Sequence, residues 1–90
     1  MNLTDRVVVP AQVMARQVGE ETVILDLAEG TYYGLNPVGA RIWAELAEGR
    51  TLGEACAALL DEYDVEAARL ERDVSALADA LASRGLVERA

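Results

Sequence analysis

The feature that most restricts the fold of this chain is the segment Gly30–Trp43, which has the pattern of a short strand running directly into a capped helix. Its first part, Thr31–Leu35, is rich in residues that favour an extended backbone. Asn36 can accept hydrogen bonds from the free amides of a first helical turn, and Pro37 suits the first helical position, where no N–H is needed. We therefore predict a sharp junction between strand and helix.

A second strand is predicted just before this segment. The apolar run Val23–Ala28 is separated from Thr31 by Glu29-Gly30, a pair that favours a tight turn. The simplest interpretation is a hairpin with a two-residue loop. In this register the predicted cross-strand pairs are Ala28 with Thr31, Leu27 with Tyr32, Asp26 with Tyr33, Leu25 with Gly34 and Ile24 with Leu35.

The residues before the hairpin predict one more strand region. Val7–Val9 followed by Pro10 is typical of a short edge strand, and Val13–Val18 continues as an extended segment before a turn at Gly19–Glu21. Together with the hairpin this gives an antiparallel meander of three strands. Thr31–Leu35 then lies at an exposed edge of the sheet, where an unpaired backbone can bind a partner.

Both faces of the predicted hairpin are largely apolar, so alternation alone does not decide which face meets the helices. Tyr32 and Tyr33 point to opposite faces, and we expect one of them in the core. Asp26 lies in an otherwise apolar strand, where an uncompensated carboxylate costs stability. We expect it to face water or to accept a hydrogen bond from Tyr33 or a backbone amide, rather than to bind a ligand.

Apolar residues recur at helical spacing in three segments after the sheet, with Trp43 as a core anchor. We predict an α+β fold in a single domain, residues 1–90: an N-terminal three-stranded antiparallel sheet followed by three helices in a winged-helix-like arrangement. The first helix is predicted from Pro37 to about Glu48 and ends at Gly49, the second opens with a capping box at Thr51–Glu54, and the third is capped by Asp64 and closed by Arg84–Gly85.

Charge and composition exclude several functions. Sixteen acidic residues oppose eight arginines, which gives a net charge of −8, and such a field repels nucleic acid. The first residues lack the pattern of a signal peptide, and no apolar run is long enough to span a bilayer. The single cysteine, Cys56, cannot form an intramolecular disulfide, so we expect a reducing, cytoplasmic location and no membrane partner.

Catalysis is not expected either. The chain has no His and no Lys, which removes the usual pairs of nucleophile and base and most metal sites. The carboxylates of Asp61, Glu62, Asp64 and Glu66 fit helix capping and solvation better than metal binding. We therefore predict a protein that is not an enzyme and that uses no metal and no cofactor.

The third predicted helix has a second face beside its apolar stripe, formed by Arg69, Asp73, Ala76 and Ala80. Periodicity alone favours ordinary packing or solvent exposure for this face. If the Thr31–Leu35 edge lies alongside the helix, however, the two frame a groove with free backbone groups on one wall. The other wall then carries Leu70, Asp73, Val74 and Leu77, and the groove suits an extended peptide that adds one strand to the sheet.

These motifs together resemble the PqqD-like family of RiPP recognition elements, small domains that hold the leader segments of ribosomally made precursor peptides for modifying enzymes. From about Val7 to its end, the chain is similar to this family and most similar to the discrete leader-binding proteins of lasso peptide pathways. The motifs that carry the resemblance are Leu25-Asp26-Leu27, Gly30–Trp43, Tyr63-Asp64-Val65, Asp73-Val74 and Arg84–Val87.

The resemblance implies a noncatalytic module that binds the leader region of a precursor antiparallel to Thr31–Leu35 and presents it to a leader peptidase, a transglutaminase-like cysteine protease, and to the macrocyclising enzyme. Because the chain has no Lys, Arg69 or Arg72 is left to pair with acidic leader residues. The alternative function is an acidic winged-helix module for protein interaction or transcriptional regulation. The expected peptide-binding residues are Thr31, Tyr32, Tyr33, Gly34, Leu35, Arg69, Leu70, Asp73, Val74 and Leu77.

Overall fold

The computed structural model describes residues 1–90 and confirms the α+β fold, with a three-stranded antiparallel sheet followed by three helices. The five strands are β1 (Val7–Val8), β2 (Val13–Val18), β3 (Glu21–Asp26), β4 (Thr31–Leu35) and β5 (Glu88–Arg89), and the helices are α1 (Pro37–Ala47), α2 (Leu52–Leu60) and α3 (Ala67–Ser83).

The main sheet has the order β2-β3-β4, so β3 is the central strand and both β2 and β4 are edge strands. A tight hairpin joins β2 to β3, with Val18 paired to Glu21. Gly19, the first loop residue, has a φ of +64°, which a type II′ turn requires at this position and which glycine adopts without strain.

The hairpin between β3 and β4 differs from its prediction. Its loop spans Leu27–Gly30, and Asp26 pairs with Thr31 while Ile24 pairs with Tyr33. The predicted two-residue loop and its register are therefore wrong, with each β4 partner displaced by two residues. Because side chains alternate with a period of two, this displacement leaves every side chain on its predicted face.

The reason for the longer loop is the side chain of Asp26. Its Oδ1 accepts hydrogen bonds from the backbone N–H of Ala28 at 3.0 Å and of Glu29 at 3.1 Å, and its carbonyl oxygen accepts one from the N–H of Gly30 at 2.8 Å. Asp26 is only 5% exposed, so these bonds replace the water that a buried carboxylate loses. The expectation of a backbone partner for Asp26 is confirmed.

The structure also decides which face of the sheet meets the helices. Ile24 and Leu35 are buried and Tyr33 is half-buried against the core. Tyr32 lies on the opposite face and is 73% exposed. The predicted division of the two tyrosines between the faces is confirmed.

The first predicted strand region is in fact two strands in two sheets. Val7–Val8 does not extend the meander but pairs with β5 at the end of the chain, Val7 opposite Arg89 and Val8 opposite Glu88. The sequence gives no local signal for this pairing, because the partner lies at the other end of the chain. Val7 in this sheet and Val87, directly before β5, are both buried in the common core.

The caps of the first two helices are as predicted. Asn36 Oδ1 accepts a hydrogen bond from the N–H of Gly39 at 2.8 Å. At the start of α2, Thr51 Oγ1 accepts from the N–H of Glu54 at 3.0 Å, and Glu54 Oε1 accepts from the N–H of Thr51 at 2.8 Å. These bonds to Thr51 lower the pKa of the Glu54 carboxyl.

The start of the third helix is later than predicted. Its N-cap is Glu66, without a side-chain hydrogen bond, and Asp64 lies in the preceding connection. After α2, the N–H groups of Glu62 and Tyr63 still bond to the carbonyl of Leu59, so the chain turns back only beyond Asp64. The predicted end is confirmed, because Gly85 has a φ of +70° and the residues around it make the two bonds of a Schellman motif.

One core cluster of 17 buried residues joins the sheet, the three helices and the terminal strands. It contains Trp43, as predicted, and Cys56, whose thiol has a raised pKa because it is buried. None of the three helices combines the length and the apolar character needed to cross a lipid bilayer.

The role of Asp26 in the hairpin can be tested by substitution. We expect Asp26→Ala to lower the free energy of unfolding by about 1–3 kcal/mol, because two part-buried loop amides lose their acceptor. Asp26→Asn retains an oxygen at the same place and should lose clearly less. Urea unfolding followed by circular dichroism measures both, with exposed Glu20→Ala as control, and equal stability of the Ala variant and the wild type would contradict the assignment.

Candidate functional site: the edge of β4 and the adjacent flank of α3

The backbone pattern of β3 determines which groups of β4 are free. The pair Val18–Glu21 closes a two-residue hairpin, and such a closing pair is joined by hydrogen bonds. Because bonding alternates along an antiparallel strand, every second residue of β3 from Glu21 onwards bonds to β2. The residues between them, Thr22, Ile24 and Asp26, therefore direct their backbone groups towards β4.

The partners of these residues on β4 are Leu35, Tyr33 and Thr31. The N–H and C=O groups of Tyr32 and Gly34 consequently point away from the sheet, and no other strand pairs with this edge. Space beside Gly34 is open, since a Cβ added there would meet no atom within 4 Å. The edge thus offers four free backbone groups, two donors and two acceptors, to an added strand.

Arg84 links this edge to the end of α3. Its guanidinium lies 4.8 Å from the centre of the Tyr33 ring, within the range of a cation–π interaction. The residues at helical spacing before Arg84 lie on the same side of α3, here called the β4-facing flank: Ala80, Leu77 and Asp73.

The opposite flank of α3 is covered by the first residues of the chain. The ammonium group of Met1 lies 2.6 Å from Asp79 Oδ1, and Ser75 Oγ donates a hydrogen bond to the carbonyl oxygen of Met1 at 3.2 Å. The β4-facing flank has no such cover. Asp73 is exposed and Leu77 half-buried on it.

A depression of about 530 Å³ marks one end of the space between these two walls. It lies where β4 begins and α3 ends, between Thr31 and Tyr32 on one side and Arg84 and Gly85 on the other. The carboxylates of Glu29 and Glu88 are at its rim. The arrangement is an open groove suited to an extended chain, not an enclosed pocket for a small molecule.

The expected binding residues fall into two groups. Thr31, Tyr32, Gly34, Arg69 and Asp73 are exposed, and Tyr33 and Leu77 are half-buried, so all seven present surface. Leu35, Leu70 and Val74 are core residues, with Val74 0% and Leu70 3% exposed. These three support the walls of the groove from beneath, and their side chains cannot contact a peptide unless the core repacks.

Most of the arginines that form no ion pair lie on α3, one wall of the groove, or at its end. Four of the eight arginines form ion pairs, whereas Arg16, Arg69, Arg72 and Arg84 form none. Three of these four belong to α3 or its C-cap in a protein whose net charge is −8. Arg72 lines a depression beside the first residues of the chain, while Arg69 lies one turn before Asp73 on the β4-facing flank.

Sequence reasoning placed Ala80 on the same face of the helix as Asp73 but missed Arg84 as a site residue. The pattern predicts Arg84 only as the end of a helix, because its ring partner Tyr33 lies far away in the chain. A usable signal existed in the spacing, since Asp73, Leu77, Ala80 and Arg84 follow one another at helical intervals.

Comparison with solved structures gives two close matches. One, described as TbiB1 in complex with the TbiA(beta) leader peptide, is 39% identical in sequence, with a TM-score of 0.84 over 89% of this chain and 93% of the other. The second, a lasso peptide synthetase B1 complexed with the leader peptide, is 29% identical, with a TM-score of 0.84 over 92% of this chain and 98% of the other. No curated protein matches the chain.

Residues 21–87 match the family model described as coenzyme PQQ synthesis protein D (PqqD). The match includes β3, β4 and all three helices, and so covers both walls of the groove and most of the core. The chain therefore belongs to the PqqD family.

Proposed function

We propose that this protein is a noncatalytic module that binds the leader region of a ribosomally made precursor peptide. In support of this, both structural relatives are complexes with a leader peptide. The observation that carries the proposal is the unpaired edge of β4 beside the uncovered flank of α3. Main-chain hydrogen bonds to the edge supply affinity without regard to sequence, and side-chain contacts in the groove supply selectivity.

The leader adds to the sheet antiparallel to β4. Its backbone bonds to the N–H and C=O groups of Tyr32 and Gly34. The side chains of the leader residues opposite these two lie on the outer face of the sheet, as the side chain of Tyr32 does. The leader residues between them point to the side of Tyr33, towards Leu77 and Asp73 on α3. Every second leader side chain therefore contacts residues of the groove.

Charge favours the same placement. Arg69 and Arg84 lie near the two ends of the β4-facing flank and have no carboxylate partner within this protein. Acidic leader residues would gain a partner at either end, and such exposed pairs select orientation and partner more than they add affinity.

The bound leader is then presented to maturation enzymes: a leader peptidase of the transglutaminase-like cysteine protease class and the macrocyclising enzyme. The outer face of the sheet supports docking of such a partner, because Met14, Val18 and Tyr32 expose apolar surface there. The groove itself pairs no nucleophile with a base, in keeping with a carrier function.

The alternative, an acidic winged-helix regulator, is supported only by the arrangement of the helices. A net charge of −8 opposes binding to DNA, and both structural relatives hold leader peptides.

The side of the groove formed by α3 can be tested with Leu77→Glu. We expect at least a tenfold weaker affinity for a synthetic peptide with the sequence of the cognate leader, because a charge then faces an apolar leader side chain. Glu48→Gln, at the exposed end of α1, is the control and should bind as the wild type does. Isothermal titration calorimetry gives both affinities, and circular dichroism verifies that each variant is folded.

Equal losses in the Leu77 and Glu48 variants would contradict the groove. Asp73→Arg provides a second variant that leaves the packing of the core unchanged, since Asp73 is exposed. We expect it to alter affinity and its salt dependence, whereas Val74→Glu would be uninformative because Val74 is fully buried.

Strand addition can be tested on the ligand. Methylating single amide nitrogens along the synthetic leader should weaken binding at every second position within the segment that pairs with β4, because only alternate N–H groups reach Tyr32 and Gly34. A uniform loss at successive positions, or no loss anywhere, would show that the leader does not bind as a strand.

A further inference from the structure

The sheet has a second free edge, on β2, and a cavity lies directly beneath it. The cavity has a volume of about 790 Å³, within the range of about 300–1,000 Å³ typical of ligand pockets. Its roof is the side of β2 that carries Ala15 and Gln17, and its floor is the back of α1 at Ala40 and Ala44. It lies at the β2 edge, away from the leader groove at β4.

The exposure of the roof residues shows that the sheet overhangs the helices here. Ala15 is paired with Ile24 and Gln17 with Thr22, so all four side chains share the core-facing side of the sheet. Ile24 and Thr22 are buried, yet Ala15 and Gln17 are exposed. No part of this chain fills the space under β2.

The same two roof residues carry the free backbone groups of β2. The backbone groups of Met14, Arg16 and Val18 bond to β3. The closing pair of the hairpin, at Val18, is hydrogen-bonded, and hydrogen-bonded pairs recur at every second residue from there. The N–H of Leu27 bonds to the carbonyl of Gln12 at 2.9 Å and continues this alternation. The N–H and C=O groups of Ala15 and Gln17 therefore point outwards at the edge, above the mouth of the cavity.

An ion pair spans the far wall of the cavity. Arg41 donates two hydrogen bonds to Glu62, Nε to Oε2 at 2.9 Å and Nη2 to Oε1 at 2.5 Å, and this bidentate pair ties α1 to the connection after α2. Trp43 and Tyr63 add aromatic surface to the lining. The cavity is thus preformed and largely apolar at its base.

On the outer face of the sheet, the positive charge of Arg16 favours a ligand with a negative charge. It lies between Ala15 and Gln17 in the chain, points to the outer face and has no ion-pair partner. A strand added to β2 places one residue opposite Arg16 on that face, where a carboxylate is favoured and an ammonium is disfavoured.

We propose that the β2 edge and the cavity beneath it form a second strand-binding site, which takes an extended segment of a partner protein with an acidic residue between two apolar ones. The two apolar residues pair with Ala15 and Gln17 and insert their side chains into the cavity, and the acidic residue lies beside Arg16. The site is independent of the leader groove, so both edges of the sheet can be extended at once.

The test uses the full chain and a short synthetic peptide with Val-Glu-Val at its centre and Ser and Gly flanks. We expect chemical-shift changes at the amides of Ala15 and Gln17, and an affinity about threefold higher than that of the matched Val-Lys-Val peptide, in line with a cross-strand ion pair. Arg16→Glu should reverse this preference.

Ala44→Trp provides a second variant, because it fills the cavity without changing a residue of either edge strand. It should abolish the changes at Ala15 and Gln17 while leader binding at β4 is retained. Leu77→Glu should have the opposite pattern, so failure of this site and failure of the leader site are distinguishable.

Three results would overturn the proposal. The first is shift changes at Tyr32 and Gly34 in place of Ala15 and Gln17, which would mean that the peptide takes the β4 edge. The second is the absence of changes at millimolar peptide, and the third is equal binding by the Ala44→Trp variant and the wild type.

Discussion

The hydrogen bonds of Asp26 determine the form of the central hairpin, and the geometry of the site depends on that hairpin. By accepting from two amides of the loop, the buried carboxylate fixes where β3 ends and where β4 begins. In this hairpin, Tyr32 and Gly34 have outward backbone groups and Tyr33 faces α3. The side chain of Asp26 therefore decides which β3 residue lies opposite each β4 residue, whereas the closing pair Val18–Glu21 decides which backbone groups of β4 point outwards.

The two flanks of α3 explain why the groove lies where it does. One flank is covered by the start of the chain through Met1, whereas the flank towards β4 is left open and is held beside the sheet by Arg84 on Tyr33. The buried residues Val74 and Leu70 support this wall from the core. Side chains that are already packed in the free protein lose no further freedom when a peptide binds.

Local signals allowed most of the fold to be predicted from the sequence. Asn36-Pro37, the capping box at Thr51–Glu54 and Gly85 each act within one helical turn, and each has its predicted place. The errors have other causes. A turn pair at Glu29-Gly30 suggests a short loop until the side chain of Asp26 is taken into account, and Asp64 is a favourable cap residue that the path of the chain leaves outside the helix.

The elements that form the candidate site were predictable from the sequence, but the exposure of their residues was not. The edge strand and the third helix follow from periodicity, yet periodicity cannot separate Leu77, which reaches the surface, from Val74, which is buried. Pairing of β1 with β5 and stacking of Arg84 on Tyr33 join distant parts of the chain and leave no local trace. The overhang of β2 above its cavity likewise depends on how far the helices extend under the sheet.

Amide hydrogen exchange at the β4 edge tests the central claim most directly. In the free protein, the amides of Tyr32 and Gly34 should exchange rapidly, while that of Tyr33, bonded to β3, should be protected. With the leader bound, the amides of Tyr32 and Gly34 should become protected as well. Protection of both amides before any peptide is added, or rapid exchange of both in the complex, would contradict the account.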